Sequence, residues 1–136
     1  MKIVLDTNCL VNVIMPGSFN NDVWVAFRAN KYELCVSNEI LFEYHEILAK
    51  RYNNLIANTV LKELIESPNT VKVNPVYRFN LITADPDDNK FVDCAITAGA
   101  TYIVSNDHHF KELELYDFPK VDVRNLTEFL TIVRSL

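Results

Sequence analysis

The sequence predicts one α/β domain in three layers, with helices packed on both faces of a largely parallel sheet. Three observations lead there. Short apolar runs of strand length recur along the chain, at 2–5, 32–36, 71–73, 102–105 and 121–123. Between most of them lie segments whose apolar residues return every three or four positions, the period of an amphipathic helix. No repeat, linker or low-complexity stretch breaks the alternation, and 136 residues is the length of a single core.

Lys2-Ile3-Val4-Leu5 is cut off by Asp6-Thr7-Asn8, as a buried strand running into a loop of polar turn-formers. Val23, Trp24 and Phe27 give 22–29 a helical stripe, and the run from Tyr32 to Val36 completes a strand–helix–strand opening. Ser37 is placed to cap the next helix, with Glu39 in its first turn and Ile40, Tyr44, Ile47 and Leu48 along one face. Val60, Leu61, Leu64 and Ile65 repeat the pattern over 58–67, which stops where Pro68 disfavours helix in the residue before it. A brief strand follows at Val71 to Val73. Asp85-Pro86-Asp87-Asp88 then reads as a helix start, with Asp85 as cap, Pro86 at the first helical position and acids near the positive end of the dipole. Phe91, Val92, Ala95 and Ile96 carry that helix to Gly99, a natural C-terminal cap. Tyr102 to Ser105 is a further strand, and 121–123 with 126–133 supply the last strand and helix.

A hydrophobic content of 49% with 23% charged residues excludes intrinsic disorder. The net charge of -5 argues against a general nucleic-acid coat, because that mode relies on many Lys and Arg releasing counterions. A polyanionic substrate would need local positive help, which bound cations supply. The apolar opening is too short for a signal peptide or a spanning helix, so a cytoplasmic protein without membrane contact is expected. Cys9, Cys35 and Cys94 form no C-x-x-C pair and read as small packing residues.

Chemistry is carried by acids. Ligands of open α/β sheets bind beyond the carboxyl ends of the strands, and Asp6 and Asp107 fall there, after Leu5 and after Ser105-Asn106. Each alone reads equally well as a turn residue bonding its own backbone, but together they converge if their strands are neighbours. Asp88 stands three, four and seven residues before Phe91, Val92 and Ala95, which turns it inward, whereas Asp87 and Asp93 point away. An inward carboxylate needs a partner, because an unpaired buried charge is costly. Glu43 lies three after Ile40 and four before Ile47, at the flank of its helical stripe, half-buried and able to reach the same crevice. Four converging acids repel one another unless divalent cations bind among them. Oxygen donors without Cys or His suit Mg²⁺ or Mn²⁺, the ions of phosphodiester hydrolysis.

His108 and His109 sit in a loop after a strand, and His45 on an outward helix face; all three read as solvated. Lys50, Arg51, Lys62 and Lys111 are candidates for holding a polyanion, and Phe19, Trp24 and Phe79 for stacking on bases, with Trp24 better placed as core.

The pattern resembles the PIN-domain family, specifically its compact bacterial and archaeal members grouped as toxins of toxin–antitoxin systems. The matching pieces are I-V-L-D-T-N around Asp6, S-N-E-I-L-F-E-Y-H-E-I-L around Glu43, D-P-D-D-N-K-F-V-D-C-A around Asp88 and Y-I-V-S-N-D-H-H-F around Asp107. Together they span nearly the whole chain. The resemblance implies a PIN-like α/β/α sandwich, frequent homodimers, a Mg²⁺- or Mn²⁺-dependent endoribonuclease and a cognate antitoxin protein. Asp6, Glu43 and Asp88 would correspond to the family's first three acids and Asp107 to its more variable fourth, all as catalytic metal ligands, with Asn8 and Asn106 as supporting polar groups. Ser105 stands where a Thr is frequent and retains the hydroxyl. RNA would be cut to leave a 5′-phosphate and a 3′-hydroxyl.

Other readings compete. Asp107-His108-His109 spells the signature tripeptide of the DHH phosphoesterases, although the chain has only two glycines and no glycine-rich substrate motif. A haloacid-dehalogenase-like phosphatase also begins with a strand and an Asp, but Asn8 replaces its usual general acid. A PIN-like module binding RNA or protein with idle acids is the non-enzymatic alternative.

Overall fold

Strands of a parallel sheet are covered on both faces, and accordingly Ile3, Val4 and Leu5 are all buried where a half-exposed strand would alternate. They belong to β1 (Lys2–Leu5), the centre of the sheet in this computed structural model, which describes residues 1–136. Around β1 lie β2 (Glu33–Val36), β3 (Thr70–Lys72), β4 (Tyr102–Val104) and β5 (Val123–Arg124). The order is β3-β2-β1-β4-β5 and every pair is parallel. The expected α/β architecture with its parallel sheet is therefore present.

Six helices cover the sheet: α1 (Thr7–Val13), α2 (Asn21–Arg28), α3 (Asn38–Arg51), α4 (Asn54–Glu66), α5 (Asn89–Ala98) and α6 (Leu126–Arg134). Ser37 caps α3 by accepting from the Ile40 backbone, and Gly99 ends α5 at a φ of 67°. The α6 start is a full capping box of Asn125 and Glu128. Helix α5 lies against β1, β2 and β4, while α2 packs on α6 and α3 on both α1 and α4. Trp24, Phe27, Tyr44, Phe91 and Phe129 are among the fully buried side chains of one continuous core. All three cysteines are buried and unpaired, as small packing residues.

Three departures from the sequence reading have physical causes. Asp6-Thr7-Asn8 does not open a loop; α1 starts at once, because Cys9, Leu10 and Val13 form a buried stripe behind the polar lead. Helix α4 begins a turn before the expected Asn58, at the Asn53 cap, whose side chain accepts from the Ile56 N–H at 2.8 Å. Pro86–Asp88 is a 3₁₀ turn, with the α-helix proper starting at Asn89.

Candidate active site

Because Leu5 pairs with Val104, β1 and β4 end side by side and deliver Asp6 and Asp107 to one crevice. The Asp6 N–H extends the ladder by donating to the Val104 carbonyl at 3.0 Å. Its side chain makes no cap bond to α1; instead it accepts from the Ser105 hydroxyl at 2.7 Å, and that hydroxyl accepts from the Asp107 N–H at 3.0 Å. Ser105 thus joins the two acids. Asp107 also caps a 3₁₀ helix, His108–Leu115, by accepting from the His109 N–H, so its turn-residue role and its place in the cluster coexist.

Helix α3 is pinned to the same edge. The buried Tyr44 hydroxyl donates to the Leu5 carbonyl at 2.5 Å, one residue before Asp6, and Tyr52 donates to Val11 in α1 at 2.9 Å. The residue beside Tyr44 is Glu43, half-buried as its flanking position predicts. The Thr7 hydroxyl donates to Glu43 Oε2, and the Lys90 ammonium sits 2.8 Å from Oε1. Lys90 is buried, and it also donates to the Asp87 carboxylate at 2.8 Å and to the Asp87 carbonyl at 3.1 Å. Burial alone would lower the Lys90 pKa, but its bonds to Asp87 and Glu43 prevail and raise it.

Asp88 completes the crevice. Its side chain is 14% exposed, and its buried Oδ2 has no hydrogen-bond partner although His109 Nδ1, equally unpartnered, stands 3.4 Å away. Burial, then repulsion from Asp85, Asp107 and Asp6, push the Asp88 carboxyl up to about 6, and the nearby His109 ring offsets this only in part. Asp6 is raised for kindred reasons: burial first, opposed by the Ser105 bond, then repulsion from Asp107 and Glu43. Asp85, Asp88 and His109 bring ligand atoms within 4.8 Å of one another, as do Asp107, His108 and His109. These are the marks of a carboxylate cluster short of positive charge, and its donors fit a divalent cation.

The four expected acids are therefore together, while their surroundings differ from the sequence reading. His109 is not a solvated loop residue: it lies between Asp88 and Asp107, at 3.4 and 3.3 Å, whereas His108 is exposed. Asp93 does not point away; it is the most buried acid, accepting from the Phe79 N–H at 3.1 Å, because the 76–84 segment covers the side of α5 that the periodicity assigned to solvent. Asp87 is exposed as expected but anchors Lys90. Asp85 caps the Pro86 turn through the Asp87 N–H and also faces Asp88. Asn8 is exposed, with only its backbone carbonyl engaged, by Asn12. Asn106 accepts from the Leu126 N–H at 2.9 Å and so holds α6 rather than the acids. Thr7 and Lys90 went unread; a Thr and a Lys have too many surface roles for spacing to mark them.

The loop before Asp88 is held by side chains. Asn89 bonds both the N–H and the carbonyl of Ile82 at 2.9 Å, and Glu112 accepts from the N–H groups of Thr83 and Ala84. Beside Asp107 opens a groove of about 680 Å³ whose walls include Lys111, Lys120 and Arg124. Trp24 is core, Phe79 lies tilted against Tyr77 with ring centroids 4.6 Å apart, and Phe19 is exposed beneath the Arg134 guanidinium.

With this geometry established, comparison with known proteins is decisive at the family level. The family model of the PIN domain matches residues 2–109, a span that holds all four acids. The chain belongs to the PIN-domain family. PIN domains are generally nucleases and typically depend on a divalent metal. The DHH reading falls with this assignment. Among solved structures, the chain is similar to VapBC2 of Rickettsia felis bound to a DNA fragment from its promoter, at 20% identity, a TM-score of 0.62 and coverage of 92% of this chain and 98% of that one. It is similar to Mycobacterium tuberculosis VapC20, described as a toxin cleaving the sarcin–ricin loop, at 14% identity, TM-score 0.59 and coverage of 80% and 92%. It is similar also to FitAB bound to the IR36 DNA fragment, at 15% identity, TM-score 0.57 and coverage of 91% and 94%. At such identities the likeness carries the fold. No curated protein matches the chain at a significant level. No helix is long and apolar enough to cross a membrane.

Proposed function

We propose that this PIN domain is a Mg²⁺- or Mn²⁺-dependent endoribonuclease whose site is formed by Asp6, Glu43, Asp88 and Asp107, and that it serves as the toxin of a toxin–antitoxin pair. The observation that carries the reading is Asp88: a buried carboxylate oxygen without a partner, in a crevice shared with Asp6 and Asp107. A site this rich in uncompensated negative charge is built for a cation. Asp6, Asp88 and Asp107 would hold it, with Asp85 and His109 adjacent and Glu43 contributing directly or through water. When bound, the ion supplies charge neutralisation at the phosphoryl group and lowers the pKa of a water.

The chain's own residues do the rest. Ser105 fixes the orientation of Asp6 and of the Asp107 backbone, and Thr7 with Lys90 fixes Glu43. Lys111, Lys120 and Arg124 line the adjoining groove among the acids Glu114, Asp122 and Glu128, so a polyanion lying there would depend on the bound ion as well as on these three cations. The toxin assignment is supported by the motif pattern and by fold likeness to chains from VapBC and FitAB complexes. A cognate antitoxin and a homodimer belong to the same proposal.

Purified protein incubated with labelled single-stranded and stem-loop RNA, with Mn²⁺ or Mg²⁺ and with or without EDTA, provides the test. Internal cleavage that EDTA abolishes and Asp88→Asn lacks is the expected result. Cleavage indifferent to chelator, or none with either ion across varied RNAs, overturns the proposal.

A further inference from the structure

The acids at the crevice are not equally short of positive charge. Asp6, Asp85, Asp88 and Asp107 make no ion pair with a Lys or Arg; the side chains that meet them are the Ser105 hydroxyl and the rings of His108 and His109. Glu43, at the α3 side, already has a cation: the Lys90 ammonium, shared with Asp87, stands 2.8 Å from Oε1 and the Thr7 hydroxyl donates to Oε2. Lys90 is not a surface residue that swung in. Only 8% of its side chain is exposed, and its ammonium donates to the Asp87 carboxylate and the Asp87 carbonyl while standing 2.8 Å from Glu43 Oε1 as an ion pair. An ammonium enclosed in this way is held by its own acids and is not free to reach a substrate phosphate.

We propose that Lys90 is a fixed cation standing where a second metal ion would otherwise bind, so that the site takes a single divalent ion at Asp6, Asp88 and Asp107. On this view Glu43 is held by Lys90 and meets the ion through water, not directly. The inference rests on the metal-site reading above and deepens it. A second divalent ion at Glu43 would have to expel a buried ammonium held by two charge-assisted hydrogen bonds to Asp87 and an ion pair with Glu43, while repelled by the first ion nearby. Lys90 already places one positive charge between Glu43 and Asp87, at the α3 side of the site. Lys90 is thus a positioning residue, acting through Glu43 and on ion stoichiometry.

Mn²⁺ binding to the metal-free protein, followed by the EPR signal of free Mn²⁺ and by calorimetry, reads the stoichiometry without any cleavage assay. Wild type should bind one equivalent, Lys90→Arg one, and Lys90→Met two, as the vacated Glu43 and Asp87 become available. Glu43→Gln should keep one equivalent with no more than about a tenfold loss in affinity, the lower range for an outer partner, while Asp88→Asn should lose binding. Two equivalents in wild type, a folded Lys90→Met that still binds one, or a Glu43→Gln as damaged as Asp88→Asn overturns this inference and leaves the metal site standing. No Mn²⁺ bound by wild type overturns both. Wild type and Glu43→Gln decide the matter even if Lys90→Met does not fold.

Discussion

Replacing Asp88 by Asn should stabilise the metal-free protein at neutral pH while ending RNA cleavage. Burial and three acidic neighbours raise the Asp88 carboxyl from 3.8 to about 6. A carboxyl whose pKa folding has raised binds its proton more tightly folded than unfolded, so its ionisation opposes folding. That penalty is absent at acid pH, grows as pH rises from 3.8 to about 6, and is complete at neutrality. The shift corresponds to about 3 kcal/mol at about 1.4 kcal/mol per pH unit, and screening by water in the open crevice reduces it to about 1–2 kcal/mol. For a domain of this length each kcal/mol is worth about 4 °C, so a gain of about 4–8 °C in Tm is expected. Asn is neutral at every pH, keeps the size of Asp and can still meet His109.

The assay is a pair of thermal melts in EDTA, one at neutral pH and one below the ordinary carboxylate range. Asp88→Asn should exceed wild type in the first and match it in the second. Mn²⁺ should then raise the Tm of wild type and not of the variant, since only a state that binds ion gains by mass action. A variant less stable than wild type at neutral pH, or a difference that persists unchanged at acid pH, would refute the account of Asp88 as an uncompensated buried charge.

Two further substitutions probe the supporting structure. Asp6→Asn should also raise the metal-free Tm at neutral pH and abolish cleavage, because burial and repulsion from Asp107 and Glu43 raise its carboxyl; a lower Tm in the melt would mean that its bond from Ser105 is worth more as a charged pair than the repulsion costs. Asn89→Ala removes both bonds to Ile82 and leaves a buried N–H and carbonyl unpaired, a loss of about 2–4 kcal/mol. Limited proteolysis should then cut within 76–85 faster than in wild type, and unchanged cleavage rates there would show that the loop does not depend on Asn89.

Most of the architecture was legible because its signals are local and repeated. Ile3-Val4-Leu5 and Tyr102-Ile103-Val104 are apolar runs with one reading in an alternating α/β chain, and Ser37, Asp85 and Gly99 announce helix ends by side-chain chemistry. Helix α1 was not legible for the opposite reason. Its first two residues, Thr7 and Asn8, are turn-formers by propensity, and only the packing of Cys9, Leu10 and Val13 into the core makes them helical. The order of the strands was legible only as a condition: Asp6 and Asp107 meet if β1 and β4 pair, which the register of Leu5 with Val104 supplies.

Within the site, helical phase succeeded at Asp88 and failed at Asp93, and the contrast shows what phase measures. Counting from Phe91, Val92 and Ala95 locates the face of α5 that meets the sheet, and Asp88 is turned to that side even though the residues before Asn89 form a 3₁₀ turn. The same count sends Asp93 to the opposite face and stops there, because periodicity assumes that the opposite face is water. Here it is the 76–84 segment, whose Phe79 N–H and Ile82 backbone need acceptors and donors that Asp93 and Asn89 provide. Lys90 follows from burial as well. Buried where α3 and the Pro86 turn meet α5, its ammonium reaches Glu43 and Asp87, and a residue that would be solvated on an open helix becomes part of the acidic centre. A sequence pattern thus marks which acid enters a crevice, whereas the cation already waiting there is decided by what the rest of the chain lays over the helix.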